Sequence, residues 1–293
     1  MQKEYRTQRI NQAKIVNSLE NIYISPLELC NLHCRYCYTK KTKNILSNSQ
    51  ILSFVRRYNN YLLKFNRQQF FDDIQRGNAL VGDKKFVDKK LSLKSIIFCG
   101  GEVFTLKNFP RLVNNLISKN IFITLITNGT IDKLDNIKNP KNCQLIVSFD
   151  GPETVHDANR GRGNFVKSKK FVQHALQLGF PVEIFYLITK DSYPFKDKLN
   201  IYNLKKTYLT DRLNSLNLKQ TRDIRQNYPV FPSKKFGCSE LSLQSDGKFY
   251  GCCESQKPIA SLSDRISKIL FNYSTIYLKS PLCSDPDYFC GLK

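Results

Sequence analysis

Three cysteines stand together in Cys30-Asn31-Leu32-His33-Cys34-Arg35-Tyr36-Cys37, at C-x3-C-x2-C spacing. An iron–sulfur cluster is normally gripped by four cysteine thiolates. Three thiolates on a four-iron cluster leave one iron open, and a metal centre short of one protein ligand is where a substrate or cofactor binds. Zinc is the alternative for clustered cysteines, but it favours four ligands in two close pairs, which this spacing lacks. His33 adjoins Cys34 and is awkwardly placed to share a tetrahedron with it.

Such a loop needs a scaffold, and the chain alternates two kinds of hydrophobic pattern. Short apolar, β-branched runs at 22–29, 95–99, 121–127, 143–150, 182–189 and, more weakly, 215–219 predict strands. Runs of helical period at 49–65, 107–119, 131–138, 164–178 and 195–209 predict the helices between them. Strand–helix alternation with near-continuous apolar strands implies a parallel sheet of the α/β class. The number of repeats suggests a partial (β/α)6 TIM-like barrel rather than a full eight-fold one. Ligands of such sheets meet the carboxyl ends of the strands. There the sequence places the cysteine loop, then Gly100-Gly101-Glu102, Asn128-Gly129 and Asp150-Gly151-Pro152, each after its own strand. Singly these are ordinary turn dipeptides; their shared position is what points to a site.

The 293 residues suffice for one such barrel and a small appendage. We expect an extension over 1–21, the barrel core over 22–220, with an inserted loop or hairpin near 66–90, and a linker and cysteine-rich module over 221–293. Pro229 and Pro232 mark that linker. The first residues carry no apolar run of signal type, and no stretch approaches the roughly 20 apolar residues of a membrane span. The expectation is a cytoplasmic protein without a membrane partner. Ten cysteines then point to metal or redox chemistry rather than a disulfide framework. The formal charge of +22 is dispersed in pairs such as Lys84-Lys85 and Lys169-Lys170. That dispersal favours a lysine-rich surface over a nucleic-acid-binding stripe.

With the triplet, the Gly100-Gly101-Glu102 and Thr127-Asn128-Gly129 turns, and the stretch from Ser148-Phe149-Asp150-Gly151-Pro152 through His156-Asp157 to Arg160-Gly161, the chain resembles radical S-adenosylmethionine (SAM) enzymes of the SPASM/Twitch group. The resemblance implies that Cys30, Cys34 and Cys37 bind a [4Fe-4S] cluster whose open iron takes SAM. It implies reductive cleavage of SAM to a 5′-deoxyadenosyl radical that abstracts hydrogen from a substrate. In such enzymes the cofactor carries the hard chemistry and the protein orients it.

By the same resemblance Gly100, Gly101 and Glu102 contact the methionyl amino group, Tyr36 lies by the adenine, Asn128 belongs to the SAM site, Ser148 lies near the ribose and Arg160 pairs with the carboxylate, for which an arginine fork is suited. Ser148 as a strand-end serine bonding its own turn, Arg160 as a solvated charge, and Arg162 as its rival remain open from residue type alone. No residue is assigned a catalytic acid–base role; His156 and Asp157 are read as loop structure.

The resemblance extends to the tail. Cys238, the Asp246-Gly247 turn and Cys252 look like the opening hairpin of a SPASM/Twitch module, and Cys283 and Cys290 complete four ligands for one auxiliary cluster. The five cysteines of the tail are too few for the two clusters of the full pattern. Cys253 adjoins Cys252 and points the other way if the segment is a strand. Cys99 and Cys143 read as buried strand cysteines. The implied substrate is a peptide or protein side chain, with a small molecule oxidised by a dehydrogenase-like radical SAM enzyme as the alternative. Where sulfatase-maturating members of the group have an aspartate, this chain has Cys253, which argues against that activity. An electron donor such as flavodoxin or ferredoxin is implied, and a separate leader-peptide-binding protein is a further possible partner.

Overall fold

The computed structural model describes residues 19–37, 39, 41–64, 91–210, 216–231, 241–251, 253, 255 and 257–279. The 66–90 insertion, the extension up to residue 18, and Cys238, Cys252, Cys283 and Cys290 lie outside them. In chain order the described elements are β1 (Asn21–Ile24), α1 (Asn48–Leu62), β2 (Ser95–Phe98), α2 (Phe109–Ile117), β3 (Phe122–Thr127), β4 (Cys143–Phe149), α3 (Glu153–Arg160), α4 (Asn164–Gln177), β5 (Val182–Ile188), β6 (Lys206–Thr210), α5 (Leu218–Asn227), β7 (Val230–Phe231), β8 (Leu241–Leu243), β9 (Lys248–Tyr250), β10 (Pro258–Ser261) and α6 (Ile266–Lys279).

Two compact units are formed. One comprises Ser25–Ile45 and Ile97–Phe236. From the end of β2 onward its strands run in the order β2-β3-β4-β5-β6-β7. From β3 to β7 every pairing is parallel, with Ile126 opposite Ile146, Ser148 opposite Phe185, and Phe185 opposite Thr207. Leu145, Val147 and Phe149 are fully buried beneath the helices, and Ile146 is buried on the other face. Burial on both faces is the reason these strands read as continuous apolar runs. The helix α4 packs on β4 and β5, and α2 on β3. Phe98, Phe104, Phe109 and Phe171 meet edge-to-face beneath them.

Several sequence expectations need correction here. The 195–209 segment is no helix: a single 3-10 turn at Tyr193–Phe195 is followed by left-handed Tyr202 and Asn203 and then by β6. Consecutive positive-φ residues cannot continue an α-helix, and the β-branched Thr207 and Thr210 suit the strand. The 215–219 strand is replaced by α5, which starts at an Asn217–Gln220 capping box. Within the described part of the linker expected after residue 220, α5 continues to Asn227 and β7 then pairs with β6. Only a 3-10 turn, Leu134–Asn136, occupies 131–138. Conversely His156 and Asp157, expected as loop structure, lie in the helix α3, which the apolar pattern does not reveal because the residues it buries are His156 and Asn159, both polar.

The other unit comprises Met1–Ile24, Leu46–Ile96 and Gly237–Lys293. In it β1 pairs parallel with β8, Ile22 opposite Leu241, and β8, β9 and β10 follow as an antiparallel meander. The expected hairpin across Asp246-Gly247 is present. Gly247 takes φ of 75°, Lys248 N donates to Asp246 Oδ1, and Gly247 N donates to the Gln244 carbonyl. A Ser47–Gln50 capping box opens α1, whose buried Phe54 packs on Phe249. Among the described residues no helix is long and apolar enough to cross a membrane.

Candidate active site

The cysteine loop follows the first strand. A turn closes from Cys37 N to the Cys34 carbonyl at 3.1 Å, and the Cys34 thiol feels the charge of both Cys30 and Cys37. Cys30 and Cys34 are half-buried and Cys37 is exposed. Burial is the main reason the thiols of Cys30 and Cys34 are pushed up from the ordinary value. Taking up a metal group would therefore release protons. Among the described residues no three His, Cys, Asp or Glu side chains are placed to hold one metal ion. Three cysteine thiols on one short loop suit a cluster in which each binds a different iron. The donor set thus fits a [4Fe-4S] group.

The turn after β2 is laid directly on the segment leading into this loop. Gly101 N donates to the Leu27 carbonyl (2.9 Å) and Glu102 N to the Leu29 carbonyl (3.0 Å). A Cβ on Gly101 would stand 1.8 Å from the Leu29 oxygen, and one on Gly100, at φ of 129°, 2.3 Å from the Leu27 oxygen. Both glycines are thus required by backbone of the same chain, before any ligand is considered.

Glu102 is fully buried. It accepts from Phe104 N (3.2 Å), Thr127 Oγ1 (2.9 and 3.0 Å) and Asn128 N (2.8 Å). Burial raises its pKa and these donors oppose that rise. A carboxylate offers about four lone-pair positions, so the three donor groups leave room for one more cation or N–H. Gly129, at φ of 68°, completes the turn after β3, and Ser168 Oγ holds the Asn128 carbonyl at 2.7 Å. The Asn128 amide reaches the cysteine loop: Nδ2 lies 3.7 Å from Cys30 Sγ and 3.0 Å from Asn31 Oδ1.

The strand β4 contributes the other half. Asp150 is fully buried; it accepts the Tyr36 hydroxyl proton and binds Arg160 Nε through both oxygens at 2.9 Å. The Arg160 guanidinium also lies over the Tyr36 ring, 5.9 Å from its centroid. Burial is the largest influence and opposes the charge on Arg160, but Asp150, Tyr36 and Cys34 together outweigh it and hold the guanidinium protonated. Arg160 is therefore not a solvated surface charge; its rival Arg162 is exposed. One residue earlier, the Asn159 carbonyl accepts from Arg35 N at 3.0 Å.

The structure thus joins Cys30, Cys34, Tyr36, Gly101, Glu102, Asn128 and Arg160 through contacts within one unit. Ser148 is half-buried on β4 opposite Phe185, and among the described residues its side chain makes no hydrogen bond. The bond to its own turn is thus not formed among the described residues. Asp150, Asn31 and Thr130 went unassigned from sequence. Asp150 was hidden as half of a turn dipeptide, and its cue was the pairing of an acid at a strand end with an arginine on the next helix. His156 is no loop residue but lies wholly buried between Phe149 and Phe165. Cys143 is buried within β4, whereas Cys99 is only half-buried and stands just past β2.

A family model described as the radical SAM superfamily matches residues 24–192. No curated protein matches the chain. Among solved structures, anSMEcpe with bound AdoMet and Cp18Cys peptide is similar with a TM-score of 0.63 at 18% identity, covering 89% of this chain and 83% of that one. SuiB of Streptococcus suis bound to its precursor peptide SuiA is similar with a TM-score of 0.59 at 14% identity, covering 97% and 71%. The same protein bound to S-adenosylmethionine gives 0.59 at 13%, covering 95% and 71%. At these identities the likeness is one of fold, and it matches the partial-barrel architecture expected from the strand–helix alternation.

Proposed function

Because the chain belongs to the radical SAM superfamily, we propose that Cys30, Cys34 and Cys37 hold a [4Fe-4S] cluster whose open iron binds SAM, and that the protein modifies a peptide or protein side chain. Cluster and SAM together supply reductive cleavage to a 5′-deoxyadenosyl radical for hydrogen abstraction. The observation that carries this reading is the anchoring of one cysteine loop to three successive strand ends, through Glu102 N on Leu29, Asn128 on Cys30 and Asp150 on Tyr36.

The chain's own residues then orient the ligand. Glu102 has one lone-pair position left for the methionyl ammonium. Arg160 is fixed by Asp150 through Nε, so its Nη groups remain for the SAM carboxylate. Tyr36, pinned by the same Asp150, offers a ring face to the adenine, and Ser148 provides an uncommitted hydroxyl toward the ribose. Cys238, Cys252, Cys283 and Cys290, in a linker and module over 221–293, would close one auxiliary cluster. The hairpin at Asp246-Gly247 supports that reading, since it would bring Cys238 and Cys252 toward each other. A peptide substrate is supported by fold neighbours solved with peptides bound. A one-electron donor such as flavodoxin or ferredoxin and a separate leader-binding chain would complete the system in the cytoplasm.

Anaerobic reconstitution tests the chemistry. The expected result is a brown protein with an EPR signal after reduction, releasing 5′-deoxyadenosine from SAM; a colourless protein that binds zinc and leaves SAM intact overturns it. Incubation with peptides encoded beside the gene tests the substrate. A mass change in such a peptide supports the maturase reading. Deuterium transfer into 5′-deoxyadenosine from a labelled small molecule, with every peptide unchanged, favours the oxidoreductase alternative.

A further inference from the structure

We infer that Asn31, Asn128 and Thr130 form a hydrogen-bonded clamp that aims an amide donor at the Cys30 sulfur and thereby sets the reduction potential of the cluster. The inference rests on the cluster assignment above and concerns residues to which that assignment gives no such role.

The orientation of Asn128 follows from its partners. Thr130 N donates to Asn128 Oδ1 at 2.9 Å, and a backbone N–H can only donate, so the oxygen of the amide must face Thr130. The NH2 group is thereby turned to the opposite side, where Cys30 Sγ (3.7 Å) and Asn31 Oδ1 (3.0 Å) lie, one for each proton. Asn31 closes the ring by donating from Nδ2 to Thr130 Oγ1 at 2.8 Å, and that hydroxyl donates to Asn128 Oδ1 at 2.6 Å. A flipped amide at either asparagine would set donor against donor. Leu32 N adds a second donor to the same sulfur at 3.4 Å.

Donors aimed at a ligand sulfur are one of the levers on iron–sulfur potentials. Each stabilises negative charge on the sulfur, and more so after the cluster has taken up an electron. The clamp therefore makes reduction easier. It acts at Cys30 alone, because Cys34 faces the Asp150–Arg160 pair instead. These residues position and tune; none of them touches the reacting bond.

The test is an EPR-monitored redox titration of the reconstituted protein, with no turnover needed. Asn128→Ala removes the donor, and Asn128→Asp keeps the acceptor for Thr130 N while turning a carboxylate oxygen toward the sulfur. We expect midpoints in the order wild type, Ala variant, Asp variant, from least to most negative. The Ala step should lower the reduction equilibrium by up to about tenfold, or about 59 mV for one electron. Pulsed EPR should also lose a weak nitrogen coupling in both variants. If the Asn128 variants fail to load iron, Thr130→Val, which deletes the hydroxyl shared by both asparagines, is read the same way. A more negative midpoint supports the clamp and an unchanged one overturns it. Fully loaded Asn128 variants with wild-type midpoints overturn this inference alone, whereas a wild-type protein that takes up no cluster removes the functional reading and the clamp together.

Discussion

The two flanks of the cysteine loop are held by different chemistry. Around Cys30 the hydrogen-bonding contacts are neutral, amides, a hydroxyl and backbone N–H groups in a small ring partly open to solvent, with the opposite charges of Glu102 and Lys41 acting from further away. Around Cys34 and Tyr36 they are ionic and buried, with Asp150 as the common acceptor for a phenol and a guanidinium. A neutral ring can be adjusted at small cost in stability. A buried ion pair cannot, because removing one partner strands the other charge. The contrast suggests a division of labour, in which the ionic flank fixes the loop and the neutral flank tunes the sulfur.

The largest expected effect removes what both flanks hold. Cys34→Ala should abolish SAM cleavage and most of the cluster absorbance, measured anaerobically as 5′-deoxyadenosine released and iron bound. The variant should stay folded, since Cys34 is only half-buried. Residual cleavage near the wild-type level would show that Cys34 is not a ligand.

Next comes the ionic flank alone. Asp150→Asn leaves Arg160 charged in a site where Asp150 was wholly buried, and loss of one member of such a pair costs about 3–5 kcal/mol. Chemical denaturation should show this as a lower midpoint. Asp150→Leu combined with Arg160→Met should recover much of the loss, because the buried charge goes with its partner. A single variant as stable as wild type would mean the pair is not needed to fix the loop.

The seam shared by both flanks is the Gly100-Gly101-Glu102 turn. Gly101→Ala forces a Cβ against the Leu29 carbonyl, and backbone cannot swing aside as a side chain would. Overpacking of this kind costs about 1–3 kcal/mol, and the cysteine loop should shift with it. Lower iron occupancy together with lower stability is the expected outcome. On the neutral flank, Asn31→Ala should cost less than about 1 kcal/mol in the same denaturation experiment, since Asn31 is exposed and water can replace its partners. A larger loss than for Asp150→Asn would reverse the assignment of fixing and tuning.

The same contrast explains what was legible in the sequence. Strands β2 to β5 were readable because both faces are buried and the apolar runs are nearly unbroken. The strand β6 was not, since Lys205 and Lys206 at its start break the apolar run and leave its assignment to the pairing with β5. The helix α3 was hidden because its buried face is His156 and Asn159, chosen for contacts rather than for apolarity. Within the site, residue types and spacing gave the cysteines and the glycines. They could not give partners: that Gly100 and Gly101 answer to Leu27 and Leu29, or that Asp150 joins Tyr36 to Arg160, depends on contacts between segments far apart in sequence.

A last effect, small at neutral pH, separates the flanks by acid. His156 lies on α3 beside the ionic flank, wholly buried, with neither ring nitrogen hydrogen-bonded among the described residues. Burial first, and then the nearby Arg160 charge, push its pKa down to about 3. Unfolded, the same imidazole takes a proton near pH 6.5. Between those values the unfolded chain binds the extra proton, so stability must fall as the pH drops from about 6.5 toward 3. Carboxylates titrate over the lower part of this window as well, so the quantity to measure is the difference between wild type and His156→Leu. That difference should lie within about 1.5 kcal/mol at pH 7, where both rings are neutral, and should move steadily in favour of the leucine variant as the solution is acidified to pH 4. Asn31→Ala carries no titrating group and should run parallel to wild type over the same range. A His156→Leu curve parallel to wild type would mean that the imidazole is charged or solvated in the folded protein, and the ionic flank would then not be the dry, buried side of the site.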